Sequence, residues 1–452
     1  MSVLMRSVSG IRGIVGPAFS PSLVVNYVNA FVQLTGAKKV VIGRDTRPTG
    51  TMLENLVASA CAASGAEAEV LGIASTPTVE MEVLNAKAGG GIIITASHNP
   101  IEWNALKFLT AEGIFLDEGQ VKALFELVDN ERFLWKDHSG VMPVRRREGA
   151  DERHIAGVLA LPFIQPERIR AKKFRVAYDA VNGAGSLIVP RLLEALGCQV
   201  EAINVTPDGI FPHGAEPTPE NLGQLEAHVA AKRCHVGFAT DPDADRCAIV
   251  GGAAAPGETA KALGEEYTLA LATMLVLDHK KGPVTINLST SRMVEDIAAR
   301  HGVPVTRTKV GEINVTVGMR KNGSVIGGEG NGGVISPDLH YGRDGILAVA
   351  MTLQLMAERD KPLNAIAGEI PAYHIEKQKY SVAGKNMERV IGRLLAKFPE
   401  ARVDQQDGIR FEWDRSWVHV RASNTEPVLR VIAEAPERDQ AVKLCKAIED
   451  EL

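Results

Sequence analysis

Apolar positions along this chain follow two rhythms, and the order of those rhythms repeats three times. The first copy opens with "KKVVIGRDTRPTG" (38–50), a short apolar run ending in polar residues and Gly50. Leu53, Leu56, Val57 and Ala60 then fall at i, i+3, i+4 and i+7, the spacing of one helical face. After Gly65, "AEVLGI" predicts a second strand, and "GGGIIITASHNP" (89–100) a third that breaks off into a loop. The second copy starts at "FRVAYDAVNGAG" (174–185). Its helix carries Val189, Leu192, Leu193 and Leu196 on one face and stops at Gly197, before "CQVEAIN" and, later, "HVGFATDPDADR" (235–246). The third runs from "GPVTINLSTS" (282–291) through a helix with Val294, Ile297 and Ala298, ending at Gly302. "VPVTRTKVG" and "GSVIGGEGNGG" (323–333) complete it.

Strand, helix, strand and a later buried strand specify parallel α/β sheets with right-handed crossovers. Ligands bind beyond the carboxyl ends of such strands. The loops "TASHNP", "TDPDADR" and "GGEGNGG" all stand there. The expected architecture is α/β: three related βαβ-type mixed-sheet domains, each offering a loop to a central cleft. A smaller α+β C-terminal domain with its own loop, "RASNTEP" (421–427), follows. Stretches near 140–155, 251–262 and 359–373 read as linkers, dividing the chain into 1–150, 151–256, 257–368 and 369–452. The basic run Arg145, Arg146 and Arg147 reads as a solvated face.

Composition narrows the function. Apolar residues make up 45% and charged residues 23% of the 452, enough for several packed cores. A net charge of -5 and the lack of an aromatic-interleaved basic patch argue against nucleic acid as partner. Five dispersed cysteines without a CxxC pair predict reduced thiols rather than a disulfide frame or zinc site. No stretch approaches 18 apolar residues and the start lacks an apolar h-region, so no membrane span and a cytoplasmic location are expected.

The loops carry the chemistry. In an extended "TDPDADR", Asp241, Asp243 and Asp245 alternate and face one point. Three packed carboxylates repel unless a cation sits among them, and hard oxygen ligands select magnesium or calcium; a solvated acidic turn is the alternative, and the apolar run "HVGFA" before the loop favours the metal. An EF-hand is excluded because its sixth and twelfth places hold Arg246 and Gly252. "GGEGNGG" matches GxGxxG formally, yet no helical period follows it. Its glycines instead suggest close backbone approach to a ligand, with Glu329 and Asn331 bonding sugar hydroxyls, or simply a tight turn. "RASNTEP" offers Arg421, Ser423, Asn424 and Thr425 as a phosphate cradle or an N-cap turn. "SGIRG" sets Arg12 between glycines, as a turn or an anion contact. Ser97 by itself reads as a turn residue and, with the other loops, as a small exposed serine that reacts, while His98, in an extended loop, points away from it. Neither GxSxG nor a P-loop is present. Serine, carboxylates, hydroxyl-reading loop and cradle together describe phosphoryl transfer through a phosphoserine.

Across essentially its whole length the chain resembles the α-D-phosphohexomutases, a family that includes phosphoglucosamine mutases and phosphomannomutase/phosphoglucomutases. "TASHNP" resembles the phosphoserine loop, "DPDADR" the magnesium loop, "GEGNGG" the sugar loop and "RASNTEP" the phosphate loop. "SGIRG", "GRDTR", "PDGIFPHGAEPTPENL" and "YGRDG" agree as well. The resemblance implies four domains around a cleft and a phosphoryl group carried by Ser97. It implies Mg²⁺ bound by that phosphate with Asp241, Asp243 and Asp245. Arg246 and Arg12 then join the catalytic group, Arg246 contacting the phosphoryl group, and Lys107 helps proton transfer at the sugar hydroxyl. Glu329 and Asn331 hold the sugar; Arg421, Ser423, Asn424 and Thr425 hold the resting phosphate. A hexose or hexosamine monophosphate is the implied partner, with a sugar 1,6-bisphosphate as intermediate and activator. Where family members carry serine and histidine in the sugar loop, this chain has Asn331 and Gly333, and Glu312 replaces a further histidine. "WNALK", "PTVE" and "GGEGNGG" look most like chains regarded as phosphoglucosamine mutases. Phosphomannomutase/phosphoglucomutase and a non-catalytic sugar-phosphate sensor stay open as alternatives, as does a homodimer.

Overall fold

The computed structural model describes residues 4–255, 257–381, 387–422 and 428–452. The three copies share one topology. In the first, Glu67–Ile73, Lys39–Arg44 and Gly90–Ile94 lie parallel in that order, and Trp103–Thr110 follows antiparallel. In the second the order is Gln199–Ile203, Arg175–Asp179, Val236–Thr240, then antiparallel Cys247–Gly251. In the third it is Val305–Thr308, Val284–Asn287, Ile326–Glu329, then antiparallel Gly333–Ile335. The "TASHNP", "TDPDADR" and "GGEGNGG" loops therefore all mark the same place in the unit, where its third strand reverses into its fourth. The predicted helices form at Gly50–Ala63, Gly185–Ala195 and Met293–His301. Gly197 (φ 70°) and Gly302 (φ 66°) end the second and third in the left-handed region, which costs a glycine nothing.

The first sheet is extended to seven strands. The hairpin Leu4–Ser7/Gly10–Ile14 joins one edge, and Val144–Arg146 pairs parallel to Glu67–Ile73 at the other. The stretch expected as a linker near 140–155 is thus partly structured, and helix Ala150–Leu159 follows it. Charge rather than apolar period holds it. Arg145 pairs with Glu67, while Arg147 reaches Glu69 and Glu82 and is not simply solvated. Near 359–373 the short helix Leu363–Ala367 buries Leu363 and Ile366.

Helices Glu266–His279 and Gly345–Arg359 are buried on almost every side. An all-round apolar helix has to be central, and these two fuse the second and third domains into one continuous core. The first and fourth domains keep cores of their own. The fourth is an antiparallel sheet in the order His374–Ser381, Val428–Ala435, Trp417–Ala422, Ile409–Glu412, Arg402–Asp404. Helices Met387–Lys397 and Arg438–Glu449 belong to the same domain, with Leu394, Cys445 and Ile448 in its core. All five cysteines are free thiols. Among the described residues no helix is long and apolar enough to cross a membrane.

Candidate active site

Strand Gly90–Ile94 is buried throughout, so the loop leaving it must find partners for its backbone. Thr95 Oγ1 accepts from Ser97 N at 3.0 Å and donates to Asp45 Oδ2 at 2.7 Å. The loop carbonyls are met by Arg47, whose guanidinium makes five hydrogen bonds. Nε donates to Asp45 Oδ2 (3.0 Å), Nη1 to Pro100 O (2.6 Å) and Trp103 O (3.2 Å), and Nη2 to Ser97 O and Asn99 O (both 2.6 Å). Phe211 of the second domain stacks on this guanidinium at 5.1 Å. "GRDTR" is therefore the brace of the serine loop. Its sequence agreed with the family but gave no sign of that role, because nothing local separates a buried arginine from a surface one.

Ser97 itself sits at φ 48°, so the loop is not extended there. His98 Nδ1 consequently comes within 3.4 Å of Ser97 Oγ instead of pointing away. It remains unfit as a base. Arg246 Nη2 donates to that nitrogen at 3.1 Å, and burial together with the arginine charge pushes the imidazole down to about 3. The expected exposure of Ser97 is also corrected: it retains 4%. The reason is that the second domain closes on it, and its Oγ donates to Asp241 Oδ2 at 2.8 Å.

The carboxylates converge by a different route from the one expected. The loop is a turn, with Ala244 left-handed at φ 53° and its N–H on Asp241 O at 3.0 Å. One oxygen from each of Asp241, Asp243 and Asp245 lies within 4.8 Å of the others, and all three side chains are fully buried. One oxygen of each is already taken. Ser97 holds Asp241 Oδ2, while Lys107 Nζ and Thr76 Oγ1 hold Asp243 Oδ2, each at 2.8 Å. Arg343 Nη2 holds Asp245 Oδ2. Asp243 Oδ1 and Asp245 Oδ1 remain buried with no hydrogen-bond partner among the described residues. Buried carboxylate oxygens without a hydrogen-bond donor are what a divalent cation satisfies, so the residues fit one. Burial and the two neighbouring carboxylates push Asp241 well above the usual carboxylate range. At Asp243 burial is outweighed by the Lys107 ammonium, which holds it below that range. Lys107, on strand Trp103–Thr110, is itself pulled down by burial but raised further by Asp243 and Asp245.

Arg246 donates from Nη1 to Glu216 at 3.1 Å, and its Nε lies 3.9 Å from Asp241 and 3.7 Å from Asp245. Arg12 stands on strand Gly10–Ile14, not in a turn, and donates from Nη1 to Asn99 Oδ1 at 3.0 Å. Ser97, Lys107 and Arg246 thus reach the aspartates directly, and Arg12 stands near enough to feel the charge of Asp243.

Glu329 ends strand Ile326–Glu329. Its Oε1 accepts from Asn287 Nδ2 (2.8 Å) and Gly311 N (2.9 Å), and its Oε2 from Arg343 Nη1 (2.8 Å). These partners outweigh burial and keep the carboxyl below its ordinary value. Asn331 Oδ1 accepts from Gly333 N at 3.3 Å. The glycines do not make room for a ligand. A Cβ at Gly330 would stand 2.0 Å from the Glu266 carboxylate, and one at Gly328 would stand 2.1 Å from Gly333 O. The close approach is to the protein itself. Strand Gly333–Ile335 follows instead of a helix, which removes the dinucleotide reading. Sequence reasoning assigned no role to Arg343, and it left Glu312 as the replacement of a histidine. Here Glu312 is bonded to Arg343, and burial, Glu80 and Asp245 still push its carboxyl up to about 8.

Of the cradle, Ser423, Asn424 and Thr425 lie outside the described residues. Arg421, on strand Trp417–Ala422, is 9% exposed. Its Nε and Nη1 have no hydrogen-bond partner among the described residues; Asp407 Oδ2 is 3.9 Å from Nη1. Asp407 Oδ2 accepts from Val310 N at 3.1 Å, and His419 bonds Ser289 Oγ at 2.8 Å, docking the fourth domain on the third.

Residues 5–135, 152–254, 264–373 and 381–451 match, in that order, domains I, II and III and the C-terminal domain described as "Phosphoglucomutase/phosphomannomutase". A protein of Thermococcus kodakarensis named "Phosphoglucomutase/phosphomannomutase" is 35% identical over 444 residues, covering 96% of this chain and 94% of its own. One of Methanopyrus kandleri named "Probable phosphoglucosamine mutase" is 33% identical, covering 96% and 95%. The crystal structure of a phosphoglucomutase/phosphomannomutase family protein from Burkholderia thailandensis superposes with a TM-score of 0.84 at 26% identity, over 99% of this chain and 98% of that one. With all four regions matched and near-complete coverage on both sides, this chain belongs to the phosphoglucomutase/phosphomannomutase family.

Proposed function

We propose that this chain is a Mg²⁺-dependent phosphosugar mutase that interconverts glucosamine 6-phosphate and glucosamine 1-phosphate. The observation that carries the reading is the Ser97 hydroxyl, 2.8 Å from Asp241, beside two orphaned oxygens of Asp243 and Asp245. In the active form Ser97 would bear a phosphoryl group on Oγ. A sugar hydroxyl oxygen would bond to phosphorus as the Oγ–P bond breaks, and the proton it loses would end on Ser97 Oγ, with Lys107 helping that transfer. Mg²⁺, bound by Asp241, Asp243, Asp245 and the phosphoserine, would supply neutralisation of charge on the moving group. Arg246 and Arg12 would steady that group. Glu329 and Asn331 would hold sugar hydroxyls, and Arg421 with Ser423, Asn424 and Thr425 the phosphate at rest. The 1,6-bisphosphate so formed would turn over and return its other phosphoryl group to Ser97. Because Ser97 is buried in the closed arrangement, substrate entry and turnover would require the walls to open, and the fourth domain, with its own core, is suited to that motion.

Glucosamine is chosen over mannose or glucose because the relatives' names divide between the two activities and the loops favour the first. Coupled assays with glucosamine, mannose and glucose 1-phosphates test the choice; a glucosamine rate far below the others rejects it. Ser97→Ala separates a mutase, which loses turnover, from a sugar-phosphate sensor, which keeps binding and has no turnover to lose.

A further inference from the structure

One arginine touches both of the loops on which the mutase reading depends. Arg343 lies between strand Gly333–Ile335 and helix Gly345–Arg359, with its side chain 10% exposed. Nη2 donates to Asp245 Oδ2, Nη1 to Glu329 Oε2 at 2.8 Å and Nε to Glu312 Oε2 at 3.0 Å, while its own amide donates to Glu312 Oε1 at 2.9 Å. Its path is narrow. A Cβ at Gly333 would stand 2.3 Å from Arg343 Cδ, and the next residue, Asp344, caps the following helix by accepting from Leu347 N at 2.9 Å.

The geometry points to Arg343 as a positioning residue that sets the metal-binding loop and the sugar-binding loop together. By occupying Asp245 Oδ2 it leaves Oδ1 turned free for a cation. Glu329 Oε1 is filled by Asn287 and Gly311, and Arg343 takes one side of Oε2, so one lone pair of Oε2 is left for a sugar hydroxyl. Glu312 holds the fork in register through two bonds. A planar guanidinium reaches three carboxylates in fixed directions; an ammonium does not. The inference rests on the mutase reading and goes beyond it by tying metal affinity to sugar affinity through one side chain that touches neither ligand.

A simple charge effect predicts the opposite sign for the metal. A cation beside a cation site repels Mg²⁺, so removing it strengthens binding. Arg343→Lys keeps the charge and loses the fork, which isolates geometry. The test is Mg²⁺ titration calorimetry on the dephosphorylated full chain, with KM for the sugar phosphate and melting temperature measured alongside. Arg343→Lys is expected to weaken Mg²⁺ binding by roughly 10- to 100-fold, as loss of a partner behind a metal ligand does elsewhere. It is also expected to raise KM several-fold, both quantities being measured below the variant's own melting temperature, which falls as buried carboxylates lose partners. Wild-type values for either quantity overturn the inference. Should Arg343→Lys fail to fold, Glu312→Gln decides: it leaves Arg343 in place and is expected to move both quantities in the same direction by less, and no change in either overturns the inference. A wild-type chain that binds no Mg²⁺ rejects the mutase reading itself, whereas a wild type that binds normally beside an unaltered Arg343→Lys rejects only the role of Arg343.

Discussion

Arg47→Lys tests whether the serine loop is held from behind. Arginine brings five N–H donors to Asp45 and to the carbonyls of Ser97, Asn99, Pro100 and Trp103. Lysine brings three, from a single point. At least two acceptors in this buried loop therefore lose their partner, at about 1–3 kcal/mol each, so the loop is weakened by about 2–6 kcal/mol. The charge opposite Asp45 is retained, which avoids the larger cost of an unpaired buried carboxylate. Since about 1.4 kcal/mol is a tenfold change, the opening constant of residues 95–103 should rise by roughly 30-fold or more. Hydrogen exchange of those amides reads it directly. Turnover should also fall, by up to about 100-fold, because a displacement of about 1 Å at a reacting group costs that much. Exchange within about 0.5 kcal/mol of wild type would refute the brace and leave Arg47 as a charge partner of Asp45 only.

Three further outcomes are expected. Intact-mass measurement should show a gain of about one phosphate on the active protein, absent in Ser97→Ala, as covalent catalysis demands; a phosphate that persists in the variant assigns it elsewhere. Activity should vanish in excess chelator and return with Mg²⁺, whereas full activity in chelator contradicts the role given to the orphaned oxygens of Asp243 and Asp245. His340 supplies a pH dependence. Burial pulls its imidazole down, but the carboxylates of Asp344, hydrogen-bonded at 3.0 Å, and of Glu80, paired at 3.3 Å, carry it up to about 10. A folded value above the free one means stability that is complete below about 6.5 and is lost as pH rises toward about 10. Thermal unfolding of the wild type should weaken across that window and that of His340→Gln much less; equal slopes refute the assignment.

Much of this protein was legible in one dimension. Periodicity found the helices that carry Leu53, Val189 and Val294, the glycines that stop two of them, and the loop position common to three units, because amphipathic spacing and chain reversal are local properties. Spacing selected the three aspartates, while Ser97, which alone reads as a turn residue, was selected only by the loops that accompany it and by the family resemblance. What the fold alone decided was who faces whom. The burial of Ser97, the nearness of His98, the turn that gathers Asp241, Asp243 and Asp245, and the packing of Gly328 and Gly330 against the protein itself all reversed local expectations. Nothing local announced Arg47 and Arg343 as structural cations. Each depends on contacts between segments tens to hundreds of residues apart, such as Ser97 with Asp241 or Asp245 with Arg343. Burial and ion pairing are sums over such neighbours, and no window along the chain contains them.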